Sequence, residues 1–332
     1  LFIHLKASRS EFLPAPRTPV RLNGYLVDCL WFEPSRLEKV AVLLVCDILL
    51  KENEPNIIWL NSREDGGLEL LDLALRSAPP AVAHAGGGCR GLTYTNSVEA
   101  LAENCSAFSF FEIDFEWTKD KQLICLHDWG KTFTKLFGFE IEGPLELDSF
   151  LRLRTVSGIT PLNLASLKEF LRDNPSARII TDIKTENIQG LRELAKRFPD
   201  FAERIIPQIY QPEEFIEAVQ IGYRDILWTL YRYPHKYDAE KIISTIKSWK
   251  EEFGRGPFGI VMPVPVVEKG IAKIVAETGI PIYVHTVNSC AAYRRFLQLG
   301  ASSIFTDFLD IDTCYAAAGA DRLHSENEPL AP

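Results

Sequence analysis

From residue 81 onward, short apolar runs alternate with longer stretches in which apolar positions recur every three to four residues. A short apolar run is typical of a strand buried on both faces, whereas the longer repeat is typical of a helix with one apolar face. Eight strands are predicted, at residues 81–84, 109–115, 178–183, 204–209, 225–230, 258–262, 281–285 and 302–306. The helical pattern lies at residues 97–104, 164–172, 188–198, 212–221, 239–252, 266–278 and 290–299.

This alternation predicts an α/β fold, and eight such units fit a (β/α)8 TIM barrel better than an open sheet. We assign residues 79–315 to the barrel and residues 316–332 to a C-terminal tail. Residues 118–161 separate the second strand from its helix, which is too long for an ordinary connection. We therefore expect a small insertion after strand 2, above the barrel.

Residues 1–78 carry no pattern of catalytic residues. We assign them to an N-terminal extension of unknown role that packs on the barrel. Their apolar positions predict helices at residues 36–50 and 69–77 and a short strand at residues 57–60. A partner-binding or membrane-surface role is the alternative.

The formal net charge of −9 argues against wholesale nucleic-acid binding, since no basic stripe is present to match a phosphate backbone. The longest apolar run, residues 40–50, is well short of the roughly 20 residues that a membrane-spanning helix needs, so no transmembrane segment is expected. The seven cysteines lack regular spacing and are interpreted as buried small apolar residues, not as a complete disulfide framework. No signal-peptide pattern is recognisable, and the compartment stays open, with a cytoplasmic location favoured over a secreted or periplasmic one.

Polar side chains occur at the ends of the predicted strands, where the chemistry of such barrels is located. Glu112 and Asp114 are two apart on the second strand, so both point to the same face, here the interior. Buried carboxylates repel each other and lose hydration unless a cation or protons offset that cost. A divalent ion is the simplest answer, with Asp182 as a third ligand, and oxygen ligands favour Mg²⁺ or Ca²⁺ over zinc. The alternative is a buried salt bridge to Lys184 or an arginine.

Two histidines also end apolar runs. His84 ends the first strand and is followed, after Ala85, by three glycines whose backbone can approach a ligand closely. His127 is followed by Asp128, which is placed to orient its ring. A pair of histidines flanking a phosphate can divide the general acid and base roles, so we predict His84 and His127 as the catalytic pair.

Lys184 lies two residues after Asp182 and shares its face, which places a positive charge beside the predicted metal. A lysine together with a divalent ion suits an anionic substrate, phosphate above all. His285 ends the seventh predicted strand and is a further candidate for ligand contact. The residues thus predict a metal-assisted acid/base site for a small phosphate-bearing molecule.

These motifs, in this order along the chain, resemble the glycerophosphodiester phosphodiesterases, a family of the phospholipase-C-like phosphodiesterase superfamily. The resemblance covers residues 81–309 and rests on His84-Ala-Gly, Asn96-Ser97, Glu112-Ile-Asp114, His127-Asp128, Asp182-Ile-Lys184, Thr286-Val-Asn288 and Ile304-Phe-Thr-Asp307. It implies a TIM barrel that hydrolyses a glycerophosphodiester to an alcohol and a phosphomonoester with the help of a metal. By this resemblance the general acid and base are His84 and His127, the metal ligands are Glu112, Asp114 and Asp182, and the phosphate contact is Lys184.

The chain departs from the pattern of that family at three positions. Ala85 replaces the arginine that usually follows the first histidine, and Arg90 is predicted to take over the contact with phosphate. His285 replaces a tryptophan, and Asp182 is one methylene shorter than the usual glutamate. The expected partner is a phosphodiester or a phospholipid-derived molecule, with the head group open. Two alternatives remain: a sphingomyelinase-D-like phospholipid phosphodiesterase, which shares Asp-x-Lys on the third strand, and a non-catalytic barrel that binds a phosphorylated ligand.

Overall fold

The structure, a computed structural model, describes residue 79, residues 81–311 and residues 313–314, together with the backbone of six strands between residues 2 and 72. The chain divides into two compact units, Leu1–Ser77 and Ala78–Pro332. The tail predicted at residues 316–332 lies outside the described residues. Among the helices of the described part, none is both long and apolar enough to cross a bilayer.

Eight parallel strands close into a barrel in the larger unit, which confirms the predicted (β/α)8 fold. They are β1 (Ala81–Ala83), β2 (Phe110–Trp117), β3 (Arg178–Ile183), β4 (Ile205–Ile209), β5 (Leu227–Thr229), β6 (Gly259–Pro263), β7 (Ile282–His285) and β8 (Ser303–Thr306). Each strand pairs with the next, and β8 pairs with β1 to complete the ring. A short strand, Leu123–Cys125, runs antiparallel to the end of β2.

Helices follow the barrel strands, and side-chain caps begin several of them. The α-helices are Val98–Asn104, Lys131–Phe137, Leu147–Leu151, Leu164–Asp173, Asn187–Arg197, Pro212–Ile221, Ala239–Phe253, Val264–Glu268, Ile271–Ala276 and Cys290–Gln298, and 3-10 turns span His84–Gly86 and Pro199–Arg204. Asn163 and Asp238 accept backbone N–H groups at two of the helix starts. The single helix predicted at residues 266–278 is divided in two, because Gly270 adopts a left-handed conformation (φ 81°) that ends the first part.

One apolar side chain from each strand fills the barrel interior. These residues are Val82, Phe110, Ile180, Ile206, Leu227, Val261, Tyr283 and Phe305. Inward-facing positions on a strand are two residues apart, so the next inward positions along β2 are Glu112 and Asp114. The apolar layer therefore lies directly beneath the polar residues at the carboxyl end of the barrel.

The predicted insertion after strand 2 forms a small apolar core of its own. It contains the strand Leu123–Cys125 and two of the helices. The ring of Phe137 packs against Phe133 and Phe150, with centroids 4.6 and 5.8 Å away. His127 lies between the strand and the first helix of this insertion, so the packing of these rings fixes the segment that carries it.

The smaller unit contains strands where helices were predicted. Lys39–Val42 is a strand that pairs antiparallel with Phe2–Leu5, so the helix predicted at residues 36–50 is wrong there. Leu68–Asp72 is likewise a strand and not the start of the helix predicted at residues 69–77. It belongs to a four-stranded sheet, in which the strands lie in the order Tyr25–Trp31, Arg17–Leu22, Leu68–Asp72 and Trp59–Ser62. The last of these strands overlaps the one predicted at residues 57–60. Short apolar runs suit a buried strand as well as a helix, and periodicity does not separate the two. The role of this unit and its packing on the barrel stay predictions.

Candidate active site

Three carboxylates meet at the barrel mouth. Asp114 on β2 is the register partner of Asp182 on β3, and Glu112 lies two residues before Asp114 on the same face. All three are buried, and each offers an oxygen within 4.8 Å of the others. The structure thus brings together the three residues that the sequence predicts as metal ligands.

Hydrogen bonds hold each of these carboxylates in place. The backbone N–H of Ala85 donates to Glu112 Oε2 at 2.8 Å. Asn96 donates to Asp114 Oδ2 at 2.9 Å and accepts from the backbone N–H of the same aspartate at 3.0 Å. The hydroxyl of Tyr210 donates to Asp182 Oδ1, and the hydroxyl of Tyr231 lies 3.3 Å from that oxygen. The cluster is therefore oriented before any ligand enters.

Lys184 provides the nearest positive charge. Its Nζ lies 2.7 Å from Asp114 Oδ1, 3.3 Å from Asp182 Oδ2 and 3.2 Å from the carbonyl oxygen of His127. The salt bridge considered as an alternative for the carboxylates therefore exists for two of them. Burial opposes the charge of Lys184, but the charges of both aspartates outweigh it and raise the pKa of the ammonium above its usual range.

The cluster carries more buried negative charge than Lys184 balances. Burial and then the charge of Asp114 raise the pKa of Glu112 to about 8. Burial also disfavours the charge on Asp114, but Lys184 and the amide of Asn96 hold the pKa of that carboxyl below its usual range. A divalent cation would offset this repulsion, and a donor set made only of oxygens fits Mg²⁺ or Ca²⁺. The residues present therefore fit the predicted metal.

His84 stands at the end of β1, held by a residue from the end of β8. Its Nδ1 lies 2.8 Å from Asp307 Oδ1, and its Nε2 lies 4.0 Å from Glu112 Oε2. Asn288 donates to the other oxygen of Asp307 at 2.7 Å. Burial opposes protonation of His84, but the hydrogen bond to Asp307 and the charges of Glu112 and Asp114 raise its pKa to about 9.

His127 is oriented in the same way by a neighbouring carboxylate. Its Nδ1 lies 2.7 Å from Asp128 Oδ2. Thr132 holds that carboxylate, because its hydroxyl donates to Asp128 Oδ2 at 2.6 Å and its backbone N–H donates to Oδ1 at 3.1 Å. Asp128 thus has the orienting position that the sequence predicts for it.

Tyr94 lies between the two histidines. Its ring meets His84 edge-on, with centroids 4.7 Å apart, and meets His127 in the same manner at 4.6 Å. The backbone of Tyr94 is left-handed (φ 58°), which is rare for a bulky residue. Burial and then the charges of Asp307, Asp114 and Glu112 raise the pKa of its hydroxyl. Tyr94 therefore belongs to the site, although the sequence pattern did not indicate it.

The remaining predicted site residues are His285 and Arg90. His285 packs against Tyr231 and Phe305, and its Nε2 is buried with no hydrogen-bond partner among the described residues. Burial, followed by the charge of His84, lowers the pKa of His285 to about 4. Arg90 is exposed, and its Nε lies 3.9 Å from Glu103 on the first helix, so the structure does not bring it to the carboxylates. Its role in phosphate binding stays a prediction.

The glycine run after His84 fits against the end of β8. Gly87 has a positive φ (92°), which favours glycine, and the backbone N–H of Gly88 donates to the carbonyl of Asp307. A Cβ on Gly88 would lie 1.9 Å from the ring of Phe308. The run therefore allows the His84 segment to pack closely beside Asp307, which is a structural use that the sequence did not suggest.

Several residues of the site were not predicted from the sequence. Tyr210 and Tyr231 follow β4 and β5 by one and two residues, so the strand-end rule that identified the carboxylates covers them too. Asn288 and Asp307 appeared only as parts of motifs, without a role. Tyr94 stands in a loop with no periodicity, and nothing in its neighbours singles it out.

Similar folds occur among solved structures of phosphodiesterases. A glycerophosphodiester phosphodiesterase from Parabacteroides distasonis aligns with 75% of this chain and 98% of its own, at 17% identity and a TM-score of 0.54. One from Agrobacterium tumefaciens aligns with 69% of this chain and 96% of its own, at 15% identity and a TM-score of 0.51. An Oleispira antarctica phosphodiesterase in complex with the product sn-glycerol-3-phosphate aligns with 72% and 97%, at 14% identity and a TM-score of 0.51. No protein-family model and no curated protein sequence matches the chain.

Proposed function

We propose that this protein is a metal-dependent phosphodiesterase that hydrolyses a glycerophosphodiester-like substrate to an alcohol and a phosphomonoester. The observation that carries the proposal is the convergence of three buried carboxylates, one lysine and two carboxylate-held histidines at the mouth of one barrel. The likeness in fold to glycerophosphodiester phosphodiesterases and the ordered motifs of the sequence support the same reaction class.

Glu112, Asp114 and Asp182 would hold one divalent cation, Mg²⁺ or Ca²⁺. Such an ion, when bound, stabilises negative charge on a phosphate oxygen, an effect worth several kcal/mol. Asn96 and Tyr210 fix the oxygen atoms of the two aspartates, so little reorganisation is required of the ligands. Lys184 adds a positive charge at the same place, and we assign it to the substrate phosphate.

His84 and His127 would transfer the protons. Each imidazole is bound through Nδ1 to a carboxylate, which leaves its Nε2 as the atom available for proton transfer. One histidine would accept the proton of the attacking water as the new P–O bond forms. The other would give a proton to the alcohol oxygen as the old P–O bond breaks, so the products are an alcohol and a phosphomonoester. General acid and base catalysis of this kind contributes about 10²–10⁴ in rate for each group.

His285 is proposed to contact the substrate and not the metal. Its Nε2 is buried and has no partner among the described residues, so a hydroxyl or phosphate oxygen of a ligand could satisfy it. Its lowered pKa keeps the ring neutral near pH 7, which suits a hydrogen bond to a substrate hydroxyl.

The test is a product-resolved screen of glycerophosphodiesters with Mg²⁺ and Ca²⁺ varied. We expect an alcohol and a phosphomonoester as products, and a loss of about 10²-fold or more in kcat for His127→Ala. His235→Ala is the matched control, because His235 is an exposed histidine on the loop that follows β5. An unimpaired His127→Ala variant would contradict the mechanism.

The same screen separates the two alternatives. A cyclic phosphate product from choline sphingolipids or lysolipids would indicate the sphingomyelinase-D-like reaction, in which a neighbouring hydroxyl of the substrate attacks the phosphorus. Binding of a phosphodiester without any product after long incubation would indicate a barrel that only binds a phosphorylated ligand.

A further inference from the structure

A pocket adjoins the carboxylate cluster. It has a volume of about 430 Å³ and lies beyond the carboxyl ends of β3, β4 and β5. Lys184 and Tyr210 line it, and both also contact Asp182 of the cluster. A substrate that reaches Lys184 can therefore extend into this pocket without leaving the barrel mouth.

Each of the three glutamates that line this pocket has a hydrogen-bond or salt-bridge partner. Glu217 pairs with Arg192 at 3.0 Å, and Glu186 pairs with Lys121 at 3.3 Å. Glu214 accepts N–H groups from the backbone of residues 210 and 211 and from a side-chain amide. Two of the three glutamates are therefore paired with a cation, and the third is held by neutral donors that fix its oxygen atoms.

Arg232 is the cation of the pocket lining that no carboxylate of the described residues neutralises. Its guanidinium lies over the ring of Tyr210 at 5.0 Å and over the ring of Tyr231 at 5.7 Å, and its Nη1 donates to the backbone carbonyl of Lys184. No carboxylate in residues 81–311 forms an ion pair with it. Lys184, the other cation of the lining, is held between Asp114 and Asp182.

A guanidinium held in this way is prepared to bind an anion. Its remaining N–H donors form a planar fork that matches a carboxylate or a phosphate. The two rings and the carbonyl restrict the side chain, so little conformational entropy is lost when a ligand binds. We propose that this pocket binds an anionic group, a carboxylate or a second phosphate, on the alcohol part of the diester, with Arg232 as the residue that selects it. The inference rests on the proposed function and names the class of substrate for it.

The test compares two substrates that differ only in one carboxylate, glycerophosphoserine and glycerophosphoethanolamine. The measured quantity is the ratio of their kcat/KM values, which does not change if a variant is merely less active. We expect the wild type to prefer the carboxylate-bearing diester by about 10- to 100-fold, as for a charge-assisted hydrogen bond. In Arg232→Gln the ratio should fall close to one, and in Arg232→Lys it should fall part of the way.

Arg224→Gln is the control. Arg224 is an exposed arginine paired with Glu203, and it lies before β5, at the opposite end of the strand from Arg232. The ratio should be unchanged in this variant. A wild type that prefers glycerophosphoethanolamine, or a preference that survives in Arg232→Gln, overturns the inference while leaving the phosphodiesterase activity in place.

A different result is expected if the protein is not a phosphodiesterase. If the wild type cleaves neither diester, the phosphodiesterase proposal fails, and the pocket is then tested by the equilibrium Kd of the same two diesters. Tighter binding of the carboxylate-bearing diester that is lost in Arg232→Gln supports the pocket. Equal binding of the two, or no binding of either, overturns it.

Discussion

The Nδ1 atom of His84 lies 2.8 Å from the Oδ1 atom of Asp307, although the two residues are 223 positions apart along the chain. The contact forms because β1 and β8 are the strands that close the barrel, so the two residues leave adjacent strands at the same end. Asn288 binds the other oxygen of the aspartate, and its Oδ1 accepts from the backbone N–H of Asp307. Closure of the barrel therefore orients one of the two proposed catalytic histidines.

Replacement of Asp307 by asparagine should lower kcat by about 10²-fold or more. The amide keeps the shape of the side chain but removes the negative charge that stabilises protonated His84 and fixes its ring. Steady-state kinetics on a glycerophosphodiester measure the effect, and Asp173→Asn, at an exposed aspartate paired with Arg172, is the control. Wild-type kcat in Asp307→Asn would show that the orientation of His84 does not matter for the reaction.

The ring of Tyr94 should matter more than its hydroxyl. Because the ring touches both histidines, Tyr94→Ala removes the contacts that hold them and should lower kcat by about 10-fold or more. Tyr94→Phe keeps both ring contacts and should lose much less. The comparison of kcat for the two variants decides the matter, and equal losses would assign the effect to the hydroxyl instead.

The stability of the metal-free protein should fall as the pH rises from about 6.5 to 9. His84 has a pKa of about 9 in the folded chain against 6.5 for an ordinary histidine, so its contribution is complete below pH 6.5 and is lost as the pH passes through 9. The raised pKa of Glu112 changes stability in the same direction. The loss assigned to His84 amounts to at most about 3 kcal/mol.

Urea unfolding in the presence of EDTA measures this dependence. The free energy of unfolding should decline less steeply with pH in His84→Gln than in the wild type, whatever the absolute stability of the variant. A wild-type free energy that is flat or rises between pH 6.5 and 9 would contradict the proposed charge on His84.

A disulfide joins Cys290, at the start of the last barrel helix, to Cys314, which lies 24 positions later in the chain. Cross-linking a loop of this length restricts the unfolded chain and should stabilise the fold by about 3 kcal/mol. The double variant Cys290→Ser/Cys314→Ser should lose that amount in denaturant unfolding. Cys105→Ser, at an exposed free cysteine, should change stability by no more than about 0.5 kcal/mol. A double variant as stable as the Cys105→Ser protein would rule out a stabilising cross-link.

This disulfide corrects the interpretation of the cysteines, because Cys290 and Cys314 are bonded and Cys105 is exposed, although Cys89 and Cys125 are buried as predicted. Spacing alone does not reveal which cysteines meet, since pairing depends on the course of the chain between them. The helices Lys131–Phe137 and Leu147–Leu151 were missed for a related reason, because each is too short for its periodicity to stand out.

The barrel strands and the carboxylates were predictable because their signals are local. Each barrel strand is a compact apolar run, and the polar residues at the strand ends follow from the alternation of side chains on β2 and β3. The contacts of Tyr94, Asp307 and Arg232 depend instead on which loops meet at the mouth. That information lies in the three-dimensional packing of distant segments and is absent from any single stretch of sequence.

The most direct test of the central claim is the rate of glycerophosphodiester hydrolysis by the wild-type protein before EDTA treatment, after it, and after Mg²⁺ or Ca²⁺ is returned. If the cluster of Glu112, Asp114 and Asp182 acts through a bound cation, EDTA should lower the rate by about 10²-fold or more and the returned ion should restore it. Hydrolysis at the full rate in EDTA would contradict the account.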